Sequence, residues 1–153
     1  MYYLYLKSDV ITYSCDERSV YGELYLEIDN IKFPSDGWSD IISSVLDMWL
    51  DNALKLLQYD FRTTVEFNFM DGPYYFEGSY NGKDVLEIIL FSRDTKINEN
   101  PYEVSLYNLL SEIIKTTGEM LRYEITENNN SIIKLKNKYK ELKSVAKYNG
   151  YRF

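Results

Sequence analysis

The chain has 153 residues, with 17 Lys plus Arg against 24 Asp plus Glu, a formal net charge of −7 and no histidine. The lack of histidine removes the commonest general base and metal ligand. The single cysteine, Cys15, excludes an intramolecular disulfide and a multi-cysteine zinc site. The length fits one domain, residues 1–153, and we expect a small acidic domain that binds another protein and uses no metal or cofactor.

Charge is distributed unevenly along the chain. Residues 1–130 hold ten Lys plus Arg against 23 Asp plus Glu, whereas residues 131–153 hold seven against one. Nucleic-acid binding draws its affinity from neutralised phosphates, so the acidic body predicts a basic partner and no direct nucleic-acid contact. The chain starts without a basic leader, and no run of eighteen residues lacks charged or polar side chains. We therefore expect a cytoplasmic protein that does not enter a membrane.

The first elements are short strands. Residues 2–6, 10–14 and 19–29 have the composition or the alternation of half-buried strands, and they predict an antiparallel meander. Ser35 or Asp36 is then placed to cap a helix that continues to about residue 57.

Two dipeptides, Asp71-Gly72 and Asn81-Gly82, predict tight turns between three consecutive antiparallel strands. With two residues in each loop, Phe67 lies opposite Phe76 in the first hairpin, and Glu87 lies opposite Phe76 in the second, on the apolar face. Burial there would raise the pKa of Glu87, which makes it the best single candidate for a catalytic acid. A one-residue bulge would instead turn Glu87 to solvent.

Two helices are expected at the end of the chain. Residues 102–125 place apolar side chains at helical spacing, with Gly118 as a weak point. A basic amphipathic helix follows at about 132–148. The order ββαβββαα predicts an α+β fold, a mainly antiparallel sheet of about five strands with helices packed on one face.

The first predicted helix has two different sides. Trp38 and Trp49 fall on its apolar side, where we expect them to anchor the helix to the sheet. Asp40, Asp47 and Asp51 fall on the other side and form the hypothetical partner-binding surface. The simpler interpretation is a solvated face that keeps the protein soluble.

The last predicted helix has a basic face of Lys136, Lys140, Lys143 and Lys147 beside its apolar stripe. Like charges at this spacing repel each other, so we expect them to face carboxylates on the same body or on a second copy in a homodimer. A membrane surface, a nucleic acid and plain solvent exposure remain as alternatives.

Four motifs lie within residues 20–78: Phe33-Pro34, Gly37-Trp38-x-Asp40, Trp49, and Phe69-x-Asp71-Gly72-Pro73-Tyr74. This combination resembles small uncharacterised bacterial proteins whose organisation is similar to that of immunity proteins found beside polymorphic or contact-dependent toxins. The resemblance implies a stoichiometric inhibitor that a cell makes to block a toxin delivered by a sibling cell, often a nuclease with a basic cleft. Two other classes stay open: a carboxylate-based hydrolase, and a structural or regulatory module that self-associates through its last helix.

Overall fold

The computed structural model describes residues 1–13, 19–59, 62–122 and 130–153, and it describes residues 10–13 by their backbone alone. Cys15 and the predicted end of the second helix at residue 125 lie outside these ranges. The described part is α+β, as the sequence predicts, but its strands are divided between two antiparallel sheets of four and five strands.

The first sheet is built around one long alternating strand. Its strands are β1 (Leu4–Tyr13), β2 (Val20–Ile28), β3 (Ile31–Phe33) and β4 (Ser39–Ile41). β2 pairs with the other three. Its alternate residues Leu24, Leu26 and Ile28 are fully buried, so the period of two seen in the sequence orients this strand correctly. The two short strands predicted at 2–6 and 10–14 are replaced by one continuous strand, β1, over Leu4–Tyr13, and residue 14 lies outside the described ranges.

The second sheet follows the first helix. Its strands are β5 (Thr64–Asn68), β6 (Tyr74–Tyr80), β7 (Val85–Ser92), β8 (Thr95–Lys96) and β9 (Tyr102–Ser105). β7 pairs with β6, β8 and β9. β9 occupies the residues at which the sequence predicts the start of the second helix. The Tyr2 N–H donates to the Glu103 carbonyl at 2.8 Å, which joins the two sheets where β1 approaches β9.

The first helix, α1 (Ile42–Gln58), begins later than predicted. Neither Ser35 nor Asp36 caps it, because residues 39–41 are extended and pair with β2. Asp40 therefore belongs to β4, where it lies opposite Gly22. A three-residue strand is too short to leave a period in the sequence, so residues 39–41 read as part of the helical pattern that follows them.

Of the two hairpin registers predicted for the second sheet, the first is confirmed and the second is wrong. Phe67 does lie opposite Phe76, which confirms the first hairpin. The second turn is wider than the Asn81-Gly82 dipeptide suggests, since Tyr80 lies opposite Leu86 rather than Lys83. The difference of three residues is odd, so it reverses which side chains face inward.

Glu87 is the residue most affected by this register. It lies opposite Ser79, half-buried, on the face that points away from the core, so the predicted position opposite Phe76 is wrong. Leu86 and Ile88, its neighbours along the strand, are fully buried instead. Inside the wider turn, Gly82 and Asp84 both take a positive φ, of 87° and 58°.

The core lies between the sheets and helices. Trp49 is fully buried and donates its indole N–H to the Asn68 carbonyl at 2.8 Å, so the prediction that it anchors α1 is confirmed. Helix α2 (Leu106–Leu121) lies along the free edge of β1. There the Asn108 side chain accepts from the Leu4 N–H and donates to the Leu4 carbonyl, each at 2.8 Å, and so satisfies an unpaired strand edge.

Helix α3 (Asn130–Tyr148) packs on α1 and α2 through its apolar stripe, in which Ile132, Leu135, Leu142 and Ala146 are buried. Gly118 of α2 permits this approach. A Cβ at that position would lie 2.9 Å from the Tyr139 hydroxyl. The glycine that looked like a weak point in α2 is a contact point between two helices.

Candidate functional site

Asp40 does not belong to an exposed acidic surface. Its side chain is only 6% exposed, and one carboxylate oxygen accepts from the Trp38 indole at 3.1 Å and from the N–H groups of Met70 and Asp71 at 3.1 and 3.3 Å. The other oxygen accepts from its neighbour, the Ile41 N–H, at 2.7 Å. This carboxylate holds β4 to the loop after β5, and we assign it a structural role.

Asp47 and Asp51 do lie on the outer side of α1, and α3 reaches them. The Lys138 ammonium group lies 3.0 Å from Asp47 and 2.8 Å from Asp51. Burial lowers the pKa of Lys138, but its hydrogen bonds to Asp51 and Asp47 outweigh this effect and raise the pKa above its usual value. A basic partner that binds these two aspartates would compete with Lys138, which already offsets part of their negative charge.

Lys138 does not belong to the predicted basic face. The four predicted residues, Lys136, Lys140, Lys143 and Lys147, are all exposed. The helix therefore docks with its apolar side and one flanking lysine, and the basic face remains on the surface. Sequence reasoning missed Lys138 because the prediction followed the four clustered lysines and gave no role to the one at the opposite edge of the apolar stripe.

A groove separates this basic face from the end of the chain. We call it the tail groove, and it has a volume of about 870 Å³. It is lined by Lys140, Lys143, Ser144, Lys147, Gly150, Tyr151, Arg152 and Phe153. The chain reverses at Gly150, whose φ is +91°, after the Gly150 N–H donates to the Lys147 carbonyl and the Tyr151 N–H to the Ala146 carbonyl. This is the Schellman arrangement that ends a helix.

The reversed tail is fixed in place by its aromatic residues. The Tyr151 hydroxyl donates to Asp84 at 2.8 Å, and the Tyr107 hydroxyl donates to the Arg152 carbonyl at 3.1 Å. The Phe153 ring stacks on Tyr107 with centroids 5.2 Å apart and planes 4° apart. Burial and the bond to Asp84 raise the pKa of Tyr151 well above its usual value.

The outward face of the second sheet is acidic. We call it the open sheet face, and it includes Glu66, Tyr75, Glu77, Glu87, Ile89, Phe91 and Glu103. The exposed Lys96 lies opposite Phe91 on the same face, which keeps a negative balance of charge. Glu66 lies directly opposite Glu77, and Glu87 lies directly opposite Glu103. Glu66 and Glu103 are exposed, whereas Glu77 and Glu87 are half-buried. Side chains in such pairs have Cβ atoms about 5 Å apart, so each pair brings two negative charges close together.

An aromatic pair lies within this acidic face. Tyr75 stacks on Phe91 with ring centroids 4.8 Å apart and planes 4° apart. Desolvation, followed by the negative charges of Asp94, Glu66 and Glu77, raises the pKa of the Tyr75 hydroxyl. The face therefore combines negative charge with a half-buried tyrosine that is held flat against the buried Phe91 ring. The predicted register of β7 placed Glu87 and Phe91 inward, so the sequence did not show this combination.

Neither a membrane helix nor a metal cluster is found in the part of the chain that the structure describes. No helix there is long and apolar enough to cross a membrane, and the described residues contain no group of three or more His, Cys, Asp or Glu placed to hold a metal ion.

No family model matches the chain, and comparisons with curated proteins and with solved structures find no similar protein. The surface chemistry of the fold is therefore the basis for the functional argument.

Proposed function

We propose that this chain binds a basic protein partner through the open sheet face and acts as an immunity-type inhibitor of a bacterial toxin. The observation that carries the proposal is the arrangement of charge on that face. Two glutamate pairs, Glu66 with Glu77 and Glu87 with Glu103, place like charges directly opposite each other. Such pairs destabilise a sheet, and a partner that presents Lys or Arg to them would relieve the repulsion on binding.

The aromatic pair can supply the contact energy that the charges alone do not provide. Binding energy at protein interfaces concentrates in a few aromatic and Arg residues, while charged residues around them favour fast association and exclude wrong partners. The half-buried Tyr75 ring stacks on the buried Phe91 ring, which holds Tyr75 rigidly next to Glu66 and Glu77. The open sheet face thus offers an anchor for contact and a negative field for steering, as a protein that must capture a basic toxin domain requires.

This surface replaces the one predicted from α1. Asp40 is buried and holds the fold together, and Asp47 and Asp51 are paired with Lys138. The hydrolase alternative loses its main argument as well, because Glu87 is half-buried on the outward face, opposite Ser79 and Glu103, and not on the apolar face. The self-associating module is distinguished by a measurement of mass against concentration, which would show oligomers without any second protein.

The test uses a toxin domain encoded beside this gene. Glu77→Gln/Glu87→Gln removes two charges from the open sheet face, and Glu99→Gln/Glu119→Gln removes two charges from exposed positions outside it. We expect the first variant to associate more slowly with the toxin, with a flatter salt dependence, and to protect growing cells less well. The control variant should behave like the original chain.

Stability measurements make this test decisive. Removing like-charge repulsion should leave Glu77→Gln/Glu87→Gln at least as stable as the original chain, so lost binding would not reflect unfolding. Equal protection by both variants would contradict the role of this face. A neighbouring gene product that neither binds the chain nor harms cells would contradict the inhibitor function itself.

A further inference from the structure

We propose that the tail groove is a separate binding site for single-stranded nucleic acid, with phosphates on its lysines and a base on its exposed aromatic ring. The site goes beyond the proposed inhibitor function because it uses a different surface and takes a ligand of opposite charge. Its parts are Lys140, Lys143 and Lys147 of the basic face on one wall and the anchored tail, residues 150–153, on the other.

The cations of the groove are available. Lys140, Lys143, Lys147 and Arg152 line it, and none of them makes an ion pair with a carboxylate among the described residues. Lys143 instead lies 5.1 Å from the centre of the Tyr139 ring. The nearest acidic surface of α1 is already occupied by Lys138. Because like charges at helical spacing repel, these side chains gain most from a polyanion.

The spacing of the lysines favours a chain of phosphates over a single phosphate group. Lys140, Lys143 and Lys147 follow each other by three and four residues, so they share one face of α3 and extend about 10 Å along it. A strand that runs along the groove would place successive phosphates beside this row. The volume of about 870 Å³ lies in the upper part of the range for clefts that hold ligands.

The aromatic wall favours a nucleic acid over an acidic peptide. Phe153 is 49% exposed, lines the groove and is held parallel to Tyr107 at 4°. Tyr151 is also nearly parallel to Phe153, at 15°. Every nucleobase has a flat face that stacks on such a ring, whereas Asp and Glu side chains have none.

The net charge of −7 does not oppose this assignment, because the local charge is positive. Exposed charges are largely screened beyond about 8 Å at physiological salt, so the groove acts through its own residues. Within residues 131–153 there are seven basic residues against one acidic residue, Glu141. The acidic body weakens long-range attraction of a nucleic acid and leaves the contacts inside the groove intact.

The experiment is a titration of a fluorescein-labelled twelve-nucleotide oligo-dT with the full chain, followed by anisotropy at several salt concentrations. We expect saturable binding that weakens with salt. Lys143→Gln/Lys147→Gln should flatten the slope of log K against log salt by about 0.7 for each lysine removed. Lys134→Gln/Lys136→Gln, the same charge change on the same helix but outside the groove, should change the slope less.

The aromatic part is tested separately. Phe153→Ala should weaken binding about tenfold, whereas Phe153→Tyr should retain it, since both rings can stack on a base. Absence of saturable binding at low salt would overturn the proposal, as would equal effects of the two lysine pairs. A ten-residue poly-Glu peptide that displaces oligo-dT at equal charge, combined with an inert Phe153→Ala, would assign the groove to an acidic protein instead.

Discussion

Replacement of Asp40 by Asn is the sharpest test of how the two sheets are joined. The carboxylate accepts four N–H groups, from Trp38, Ile41, Met70 and Asp71, at distances of 2.7 to 3.3 Å. An amide keeps one oxygen. If that oxygen accepts the N–H groups of Trp38, Met70 and Asp71, the new NH₂ group points at the Ile41 N–H. Two donors then face each other and neither has an acceptor.

The expected cost can be worked from these contacts. An unsatisfied buried donor costs about 1 to 3 kcal/mol, and hydrogen bonds to an ion are about twice as strong as neutral ones. Met70 and Asp71 are exposed, so water recovers part of the loss at their N–H groups. We therefore expect Asp40→Asn to lower the free energy of unfolding by about 3 kcal/mol, a large part of the roughly 5 to 15 kcal/mol typical of a domain.

Urea denaturation followed by tryptophan fluorescence measures this change. A loss of about 3 kcal/mol corresponds to a fall of about 1 to 2 M in the midpoint for a protein of this size. Asp71→Asn removes the same charge from an exposed neighbour and keeps the N–H that binds Asp40, so it should stay near the original midpoint. If the two variants unfolded at the same urea concentration, the four hydrogen bonds would not hold the sheets together.

Three further outcomes follow from the packing. Trp49→Ala should lower the free energy of unfolding by about 3 to 5 kcal/mol in the same urea assay, because the residue is fully buried and loses its bond to Asn68; an unchanged midpoint would contradict its core position. Gly118→Ala should raise the stability measured by thermal melting by up to about 1 kcal/mol when Tyr139 is also changed to Phe, but not when Tyr139 keeps its hydroxyl. The same effect of Gly118→Ala with Tyr139 and with Phe at that position would refute the close contact. Raising the pH above 10.0, the pKa of an unfolded tyrosine, should destabilise the original chain more steeply than Tyr151→Phe, because the pKa of Tyr151 is raised in the folded state and its stabilising effect is lost above the unfolded pKa. If both proteins lost stability in parallel with pH, the buried bond from Tyr151 to Asp84 would be contradicted.

The sequence predicted those parts of the fold in which local pattern and tertiary packing agree. The alternation of β2, the hairpin that pairs Phe67 with Phe76, the anchoring role of Trp49 and the apolar side of α3 are all confirmed. Each of them has a period long enough to indicate both the element and its buried side.

The wrong predictions arise where a short or irregular segment decides the outcome. Three residues of β4 place Asp40 in a strand and bury it, although helical spacing puts it on an outer stripe with Asp47. A wider turn before β7 moves Glu87 to the opposite face. A register shift of one or three residues reverses a whole face. The outward position of Glu87 and Phe91 therefore could not be found from the sequence, whereas the opposition of Glu66 and Glu77 follows from the hairpin that was predicted correctly.

Unlike the buried Asp40, the exposed charges of this molecule do little for its folding, and this is why we assign them to binding. Exposed ion pairs contribute about 0 to 1 kcal/mol each, so the pairing of Lys138 with Asp47 and Asp51 mainly orients a helix that docks by its apolar side. The remaining lysines of α3 repel each other, and the glutamates of the open sheet face do the same across strands. Both arrangements slightly weaken the free chain and would be relieved by a ligand of opposite sign. The two surfaces share no residue, so a change that abolishes one binding activity should leave the other in place.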